Sequence, residues 1–557
     1  MADRIFVAAA WPYANSSLHL GHIAGCYLPA DIFARYHRMR GNQVLMVSGS
    51  DQHGTPITVR AEEEGVPPQT IVERYHGQSL ETWRRLGITF DLYTTTGTEN
   101  HRQTVHEMFL RLYEQGLIYK KTATLPYSTK AQRFLPDRYV EGTCPFCGYI
   151  AARGDQCDQC GKQMDPKDLI NIKSKLHGDT PEFRETEHFF LKLSAFEEEL
   201  AAWVGEKAYW RPNVRNFVAQ YLKEGLIDRA ITRDLDWGVT IPLPGYESKR
   251  IYVWFEAVIG YLSATKEWAQ RQGKPEAWRE FWQGDVRSYY FLGKDNIPFH
   301  AIIWPAILRG YDRTLAQPYD IPANEYLNLE GLKFSKSRNW AVYVHDFLDR
   351  FEADPLRYTL SINMPETADT DFSWKEFLRR NNDELVATYG NLVNRVLSFT
   401  YRTFEGKVPE HTPEERLGES SRTLLRRAEA MLEETARCVE ACRFKDGIKA
   451  AMNLAREANR YLEEQQPWKT VKTDRPAAAD ALWTGSCVVA ALKTALYPYM
   501  PASSQKVHEY LGLAGRVEEQ GWALARPVAG QALRQPAPLF AKLDEAAVAA
   551  EMTGAQA

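Results

Sequence analysis

The sequence predicts an α/β chain: a doubly wound parallel sheet split by an inserted cysteine-knuckle domain and followed by an all-α helical bundle. Three observations carry that expectation. A short apolar run, Arg4 to Ala10, leads through a turn-rich stretch and a helical pattern to a second apolar run, the opening of a parallel sheet whose ligands gather at its strands' carboxyl ends. Cys144, Cys147, Cys157 and Cys160 form two Cys-x-x-Cys pairs, nine residues apart, in a Gly-rich segment. From about Asp383 onward apolar residues recur at helical spacing, as in Leu385, Tyr389, Leu392, Val393 and Val396.

Each element follows in order. Arg4 to Ala10 reads as a buried strand, Trp11 to Ser17 as a turn, and a helix begins near Gly21 and ends where Gly41 breaks it. Pro29 inside that helix costs it an internal hydrogen bond and is expected to bend it. The next strand, Gln43 to Gly49, delivers Ser50-Asp51-Gln52-His53-Gly54-Thr55 at its end, and a largely helical stretch runs to about residue 115. A Cys- and Gly-rich segment and a region dense in aromatics and Pro reach about residue 245, after which the α/β pattern resumes. There Ile251 to Phe255 and Ser288 to Gly293 look like strands, and Phe299 to Arg309 like a helix. The stretch from Arg526-Pro527 to Phe540 reads as an extended return segment, and Ala546 to Ala557 as a frayed helix or disordered end.

The expected division is therefore a Rossmann-like core in two halves, 1–115 and 246–320, with an inserted connective domain at 116–245. A region at 321–382 that carries the Lys333 to Ser337 loop and is expected to contact a nucleic-acid stem, a helical bundle at 383–525 and a return segment with tail at 526–557 complete it. At 557 residues the chain exceeds one hydrophobic core, in keeping with several domains. No apolar run approaches the roughly 20 residues that span a bilayer, and the first ten residues lack a signal-peptide pattern, so a cytoplasmic protein is expected. The net charge of −4 argues against a generic nucleic-acid coat and leaves room for a local basic groove.

Two short motifs carry chemistry. His19-Leu20-Gly21-His22 places two imidazoles on the turn before a helix, whose first N–H groups and positive dipole end suit a phosphate chain; Gly21 lets a base or ribose lie against the backbone. Lys333-Phe334-Ser335-Lys336-Ser337, preceded by Gly331, is a cationic loop suited to charge that develops as pyrophosphate leaves. A Walker A pattern is absent, so the nucleotide is held in another way. Taken singly, each motif has a plainer explanation, a helix start and a solvated loop. Two thiolates per tight turn, with Gly148 and Gly161 after the second cysteine of each pair, fit one structural Zn²⁺ with four cysteine ligands. Disulfides or a redox pair are the alternative, disfavoured in a reducing cytosol. The scattered Cys26, Cys438, Cys442 and Cys487 look like small buried hydrophobes.

The two motifs resemble the HIGH and KMSKS signatures of class I aminoacyl-tRNA synthetases, with Leu20 for Ile and Phe334 for Met. Ala10-Trp11-Pro12-Tyr13-Ala14-Asn15, Ser50 to Pro56 and Tyr252-Val253-Trp254-Phe255-Glu256-Ala257 narrow the resemblance to the methionyl-tRNA synthetase family, from about residue 4 to about residue 541. It implies ATP with Mg²⁺, L-methionine and tRNA(Met) as substrates, and His19, His22, Lys333 and Lys336 as catalytic residues. Gly21, Ser335 and Ser337 join those four around ATP. Ala10, Trp11, Tyr13, Asp51, Trp254, Ala257, Val258, Tyr261 and His300 enclose the methionine, with Val258 where many relatives carry Pro. Aromatic edges suit a polarizable sulfur, Tyr and His are expected to donate weakly to it, and Asp51 would take the ammonium. Asn391, Arg395 and Trp468 would read the anticodon, an indole stacking on an unstacked base. Alone, these three would be a solvated helix face and a packing residue, as most single aromatics and Asp51 itself would be core or turn residues. Arg233 and Asp236 are expected to pair near the site. The chain stops after the return segment without an added RNA-binding domain, so a monomer is expected. The competitors are a class I synthetase for another amino acid and a tRNA-binding relative that has lost activation; intact loop lysines speak against the second.

Overall fold

The computed structural model describes residues 2–135, 139–154, 157, 159–160, 162, 164–175, 177–334, 340–546 and 548–549. Strand β1 (Arg4–Ala9) is buried from its second residue on. The expected helix is one continuous run in three parts: α1 (Leu20–His22), a π-helical stretch Ile23–Tyr27 and α2 (Leu28–Met39). The wider π turn precedes Pro29, which falls in the first turn of α2, where an absent N–H costs least. Gly41 follows at φ +77°, a left-handed turn into β2 (Gln43–Ser50). Then come α3 (Thr55–Glu64), α4 (Pro68–Leu86), β3 (Leu92–Thr95) and α5 (Glu99–Glu114). The stretch expected to be largely helical to about residue 115 thus hides a sheet strand.

The insertion is built on two antiparallel sheets. One pairs β4 (Ile118–Ser128) with β5 (Arg133–Phe134) and β9 (Glu182–Leu191); the other, smaller, joins β6 (Val140–Thr143), β7 (Ala152–Arg153) and β8 (Ile170–Ser174) around the cysteines. Helices α6 (Glu197–Gly205) and α7 (Pro212–Lys223) and short strands β10 (Arg229–Ala230), β11 (Thr232–Arg233) and β12 (Arg250–Ile251) lead back to the core. There α8 (Val253–Arg271) starts where a strand was expected: Val253 to Phe255 are its first turn, and their apolar character reflects a helix buried on nearly every side. Strand β13 (Val286–Gly293), a π turn Phe299–Ile303, α9 (Trp304–Tyr311) and β14 (Ala323–Asn324) complete the half.

The resulting sheet has the order β14-β13-β1-β2-β3, with every pairing parallel. The chain leaves β1 for β2 on one side and returns as β13 on the other, which opens a crevice beyond the carboxyl end of β1. Beyond it, β15 (Leu327–Leu329) pairs with β16 (Leu332–Lys333) and with β17 (Thr370–Phe372), and α10 (Val344–Leu348), α11 (Ala353–Ile362) and α12 (Trp374–Arg379) bridge to the bundle. The bundle begins with π-helical segments around α13 (Asn391–Val393) and α14 (Phe399–Thr403) and centres on α15 (Glu419–Glu440), α16 (Phe444–Gln465) and α18 (Arg475–Leu496), with α17 (Pro467–Thr470), α19 (Pro501–Tyr510) and α20 (Val517–Gln520) between and after them. The return segment has no regular helix or strand, and is tied by Trp483 Nε1–H to the Pro527 carbonyl and closed by buried Leu539 and Phe540. Of the tail, nearly all of Ala546 to Ala557 lies outside the described residues.

A buried charge cluster joins sheet and bundle. Asp31 on α2 accepts from Arg35 Nε (2.9 Å), Arg357 Nη2 (2.7 Å), and the Thr89 amide and hydroxyl (2.9 and 3.0 Å). Arg357, on α11 and fully buried, also caps carbonyls just past α18, Tyr499 at 2.7 Å and Pro498 at 2.8 Å, and reaches the Leu86 carbonyl at the end of α4. No helix among the described residues is long and apolar enough to cross a membrane.

Candidate active site

The two motifs, more than three hundred positions apart, meet at the crevice. Leu20 N–H donates to the Val342 carbonyl and Val344 N–H to the Leu18 carbonyl, so the segments flanking the motifs pair antiparallel. Phe334 stacks on the His19 ring, centroids 4.7 Å apart and planes 6° from parallel, and the His19 and His22 rings lie 3.8 Å apart. His19 Nδ1 accepts from Gly21 N–H and His22 Nδ1 from His19 N–H, both at 3.1 Å, which puts the proton of each neutral ring on Nε2. The expectation of available amides at this helix start is corrected. Leu20 N–H is taken by Val342, Gly21 N–H by His19, and His22 N–H by the His19 carbonyl. The space over Gly21 is also occupied: a Cβ there would stand 2.9 Å from His19 Cε1 and 3.5 Å from Phe334 Cδ2. Lys333 is exposed on β16 with its ammonium 5.1 Å from the Tyr326 ring centre, and Lys294 lies 4.1 Å from the same ring. Ser335, Lys336 and Ser337 lie outside the described residues.

Next to His22 opens a cavity of about 230 Å³ that all nine residues expected around methionine line: Ala10, Trp11, Tyr13, Asp51, Trp254, Ala257, Val258, Tyr261 and His300. Its α8 wall follows from helix geometry, since 254, 257, 258 and 261 stand at i, i+3, i+4 and i+7. The aromatic walls are seated on glycines. A Cβ on Gly49 would fall 2.3 Å from the Trp11 ring, and one on Gly54 2.2 Å from Tyr13, so both rings lie flat on backbone. Trp254 Nε1–H donates to Tyr13 Oη at 3.0 Å, and its ring meets Phe299 edge-on at 4.7 Å.

Tyr261 and His300 are not positioned as the sequence suggested. His300 Nδ1 faces the Asn296 carbonyl at 2.9 Å, an acceptor only, so Nδ1 carries the proton. Burial lowers His300 to about 4 and keeps it neutral, so its Nε2 accepts the Tyr261 O–H at 2.7 Å. Both donors are spent, and the pocket offers a thioether polarizable rings without an O–H or N–H from this pair. Arg233 lies over the Tyr252 ring at 3.8 Å and donates to the Ala230 and Thr232 carbonyls.

Asp51, at the end of β2, is 3% exposed and accepts the His53 amide at 3.2 Å. Burial, and then the charge of nearby Glu256, push its carboxyl well above the usual range, as for a carboxylate awaiting a cation.

Away from the cavity, the four cysteine sulfurs lie within 4.8 Å of one another, with Cys144 and Cys160 at 3.9 Å and Cys147 and Cys157 at 3.6 Å. The edge of a tetrahedron of thiolates with Zn–S of about 2.3 Å is about 3.8 Å, so the donor set and its spacing fit zinc. In the bundle, Asn391 is exposed, Arg395 lies one turn on, and the Arg395 guanidinium sits 4.5 Å from the Trp468 ring centre on α17.

Sequence reasoning did not assign Pro12, Asn15, Ser16, Leu18, Asn296 and Phe299 to the cavity wall. The signal for the last two was their place just past the carboxyl end of β13, where a doubly wound sheet puts its ligand.

Comparison with known proteins agrees with the geometry. The family described as tRNA synthetases class I (M) matches residues 5–397, and the anticodon binding domain of methionyl tRNA ligase matches residues 408–554. The chain is 59% identical over 551 residues to the methionine–tRNA ligase of Dehalococcoides mccartyi, with 99% of each chain covered. It is 51% identical over 588 positions to that of a Roseiflexus species, covering 99% of this chain and 98% of the relative. A solved structure of Mycobacterium tuberculosis methionyl-tRNA synthetase in complex with methionyl-adenylate matches with a TM-score of 0.80 at 26% identity, over 97% of this chain and all of that one. Matched across both its α/β half and its bundle, and end to end by relatives, the chain belongs to the methionyl family of class I tRNA synthetases.

Proposed function

We propose that this chain activates L-methionine with ATP and transfers it to the 3′ end of tRNA(Met), supplying initiation and elongation. The observation that carries this is the shared cavity: an aromatic chamber with a buried carboxylate, Asp51, opens directly beside His22 of the phosphate motif. In the first step the methionine carboxylate oxygen attacks the α-phosphorus of ATP, which enters as its Mg²⁺ complex. The bond from that phosphorus to the bridging oxygen breaks, leaving methionyl-adenylate and pyrophosphate. In the second step a ribose hydroxyl at the tRNA 3′ end attacks the acyl carbon and AMP leaves.

This chain's residues position and neutralise. Asp51 takes the substrate ammonium, and Trp11, Tyr13, Trp254, Ala257, Val258, Tyr261 and His300 surround the side chain beyond Ala10. His19 and His22 present Nε2–H to the phosphates over Gly21, which requires Phe334 to leave its stack on His19. Lys333 and Lys336, with Ser335 and Ser337, meet charge that appears only as pyrophosphate departs. Asn391, Arg395 and Trp468 read the anticodon. Cys144, Cys147, Cys157 and Cys160 hold one Zn²⁺, which cross-links the inserted knuckle and leaves no open position for chemistry. The protein acts in the cytoplasm as a monomer.

The test is ATP–pyrophosphate exchange with each standard amino acid, followed by charging of tRNA(Met). Exchange with methionine alone is expected. Exchange with another amino acid would reassign the cavity, and none with any would leave only a tRNA-binding protein.

A further inference from the structure

Behind the cavity wall lies a cluster of titratable side chains, His53, His101 and Glu256, none of which lines the cavity. Glu256 is on α8 with no exposed surface. Residues 254, 257, 258 and 261 face the cavity, so position 256 lies off that stripe, on the side shared by Gly260 and Ser263. Its Oε1 is 2.7 Å from His53 Nδ1, and its Oε2 3.8 Å from His101 Nε2. His101 is itself anchored by Nδ1 to the Ser263 hydroxyl at 2.8 Å.

His53 connects this cluster to the cavity. Its amide donates to Asp51 Oδ1 while its ring is held by Glu256. Trp237 Nε1–H fixes the Gln52 carbonyl between them at 2.6 Å, and Thr96 Oγ1 takes the Gln52 amide at 2.9 Å. The loop that presents Asp51 is therefore held from α8 through His53, from other elements through Gln52, and through the backbone of Asp51 itself, whose N–H donates to the Pro12 carbonyl at 2.8 Å and whose carbonyl accepts the Ala14 amide at 3.0 Å. Burial works against charge on both partners, yet their mutual attraction raises His53 and lowers Glu256. The His53 ring beside Asp51 is thereby committed to Glu256.

We propose that Glu256 is a positioning residue of the ammonium subsite: by holding the His53 ring it helps to fix the Asp51 loop and turns that ring away from Asp51, which is left to the amino group of the substrate. This rests on the cavity being the methionine site. A pair that only stabilised the fold would treat ligands with and without an amino group alike.

Two alcohols separate the possibilities, methioninol and 4-(methylsulfanyl)butan-1-ol, which differ only in the amine. Their binding to the full-length protein is read from tryptophan fluorescence, since Trp11 and Trp254 line the cavity. Glu256→Gln is expected to weaken methioninol at least tenfold and the desamino alcohol less than twofold. In pyrophosphate exchange the KM for methionine rises about tenfold, with kcat within threefold and the KM for ATP within twofold. Glu256→Asp, which keeps the charge, restores most of the preference; should Glu256→Gln not fold, a Glu256→Asp protein that has lost the amine preference would overturn the proposal by itself. Equal weakening of both alcohols, or of neither, also overturns it. If the unaltered protein fails to prefer methioninol, it is the assignment of the cavity that falls.

Discussion

Replacing Asp31 by Asn tests how sheet and bundle are joined. Burial alone would raise this carboxyl, but the guanidiniums of Arg35 and Arg357 and the Thr89 amide more than offset that and hold it at about 2. Against an ordinary value of 3.8, that depression corresponds to about 2 kcal/mol of folding free energy at neutral pH. This is a lower bound for the substitution. Asn keeps one oxygen for the two guanidiniums but turns an NH₂ toward the Thr89 amide and leaves two buried guanidiniums without their counter-charge, and removing one partner of such a cluster costs about 3–5 kcal/mol. Urea unfolding of both proteins, followed by tryptophan fluorescence between pH 2 and 7, measures the loss. The sign follows from the lowered value: Asp31 contributes fully above about pH 5 and progressively less as the pH falls through about 2. The gap between the two proteins should therefore be widest near neutrality and close toward pH 2. A difference below about 1 kcal/mol at pH 7, or one independent of pH, would refute the reasoning.

Other consequences are more local. Cys144→Ser should lower bound zinc below one equivalent by elemental analysis and loosen the knuckle to proteolysis; retention of a full equivalent would defeat the four-thiolate site. Trp468→Ala removes the ring under Arg395 and should reduce tRNA charging much more than pyrophosphate exchange, whereas equal losses would exclude an anticodon role. Gly49→Ala sets a Cβ 2.3 Å from Trp11 and 2.6 Å from the Thr94 carbonyl. It should raise the KM for methionine more than tenfold with the KM for ATP unchanged, and a variant with normal methionine kinetics would show that Trp11 does not shape the chamber.

What the sequence reveals and what it hides divide along physical lines. The two motifs and the cysteine pairs are legible because their chemistry is local: paired imidazoles, a lysine and serine run, cysteines with two residues between them. The nine residues expected around methionine are legible only through the family resemblance, since each alone reads as a core or turn residue. Strand β3 is hidden because four residues with alternating burial carry too little periodicity to stand out between two helices. Val253 to Phe255 mislead because apolar and β-branched residues opening a fully buried helix have the composition of a strand. The π turns at Ile23–Tyr27 and Phe299–Ile303 depend on tertiary packing, as does the stacking of Phe334 on His19. The loss of the Tyr261 and His300 donors is equally invisible, since it turns on one backbone carbonyl, that of Asn296. Buried charges such as Asp31, Arg357 and Glu256 read as ordinary helix-face residues until their partners, drawn from distant segments, are known.

The order of strands in the sheet also dictates a schedule. β1 is made first, yet one of its two edges is covered only by β13, which begins at Val286. At roughly 5–20 residues per second, a ribosome leaves that apolar edge bare for about 15 to 60 seconds while the whole insertion is synthesised and folds. An uncovered strand edge is a template for pairing with other chains. The growing polypeptide therefore carries an uncovered strand edge until the far side of the crevice, which β13 and the segment after it supply, has been made.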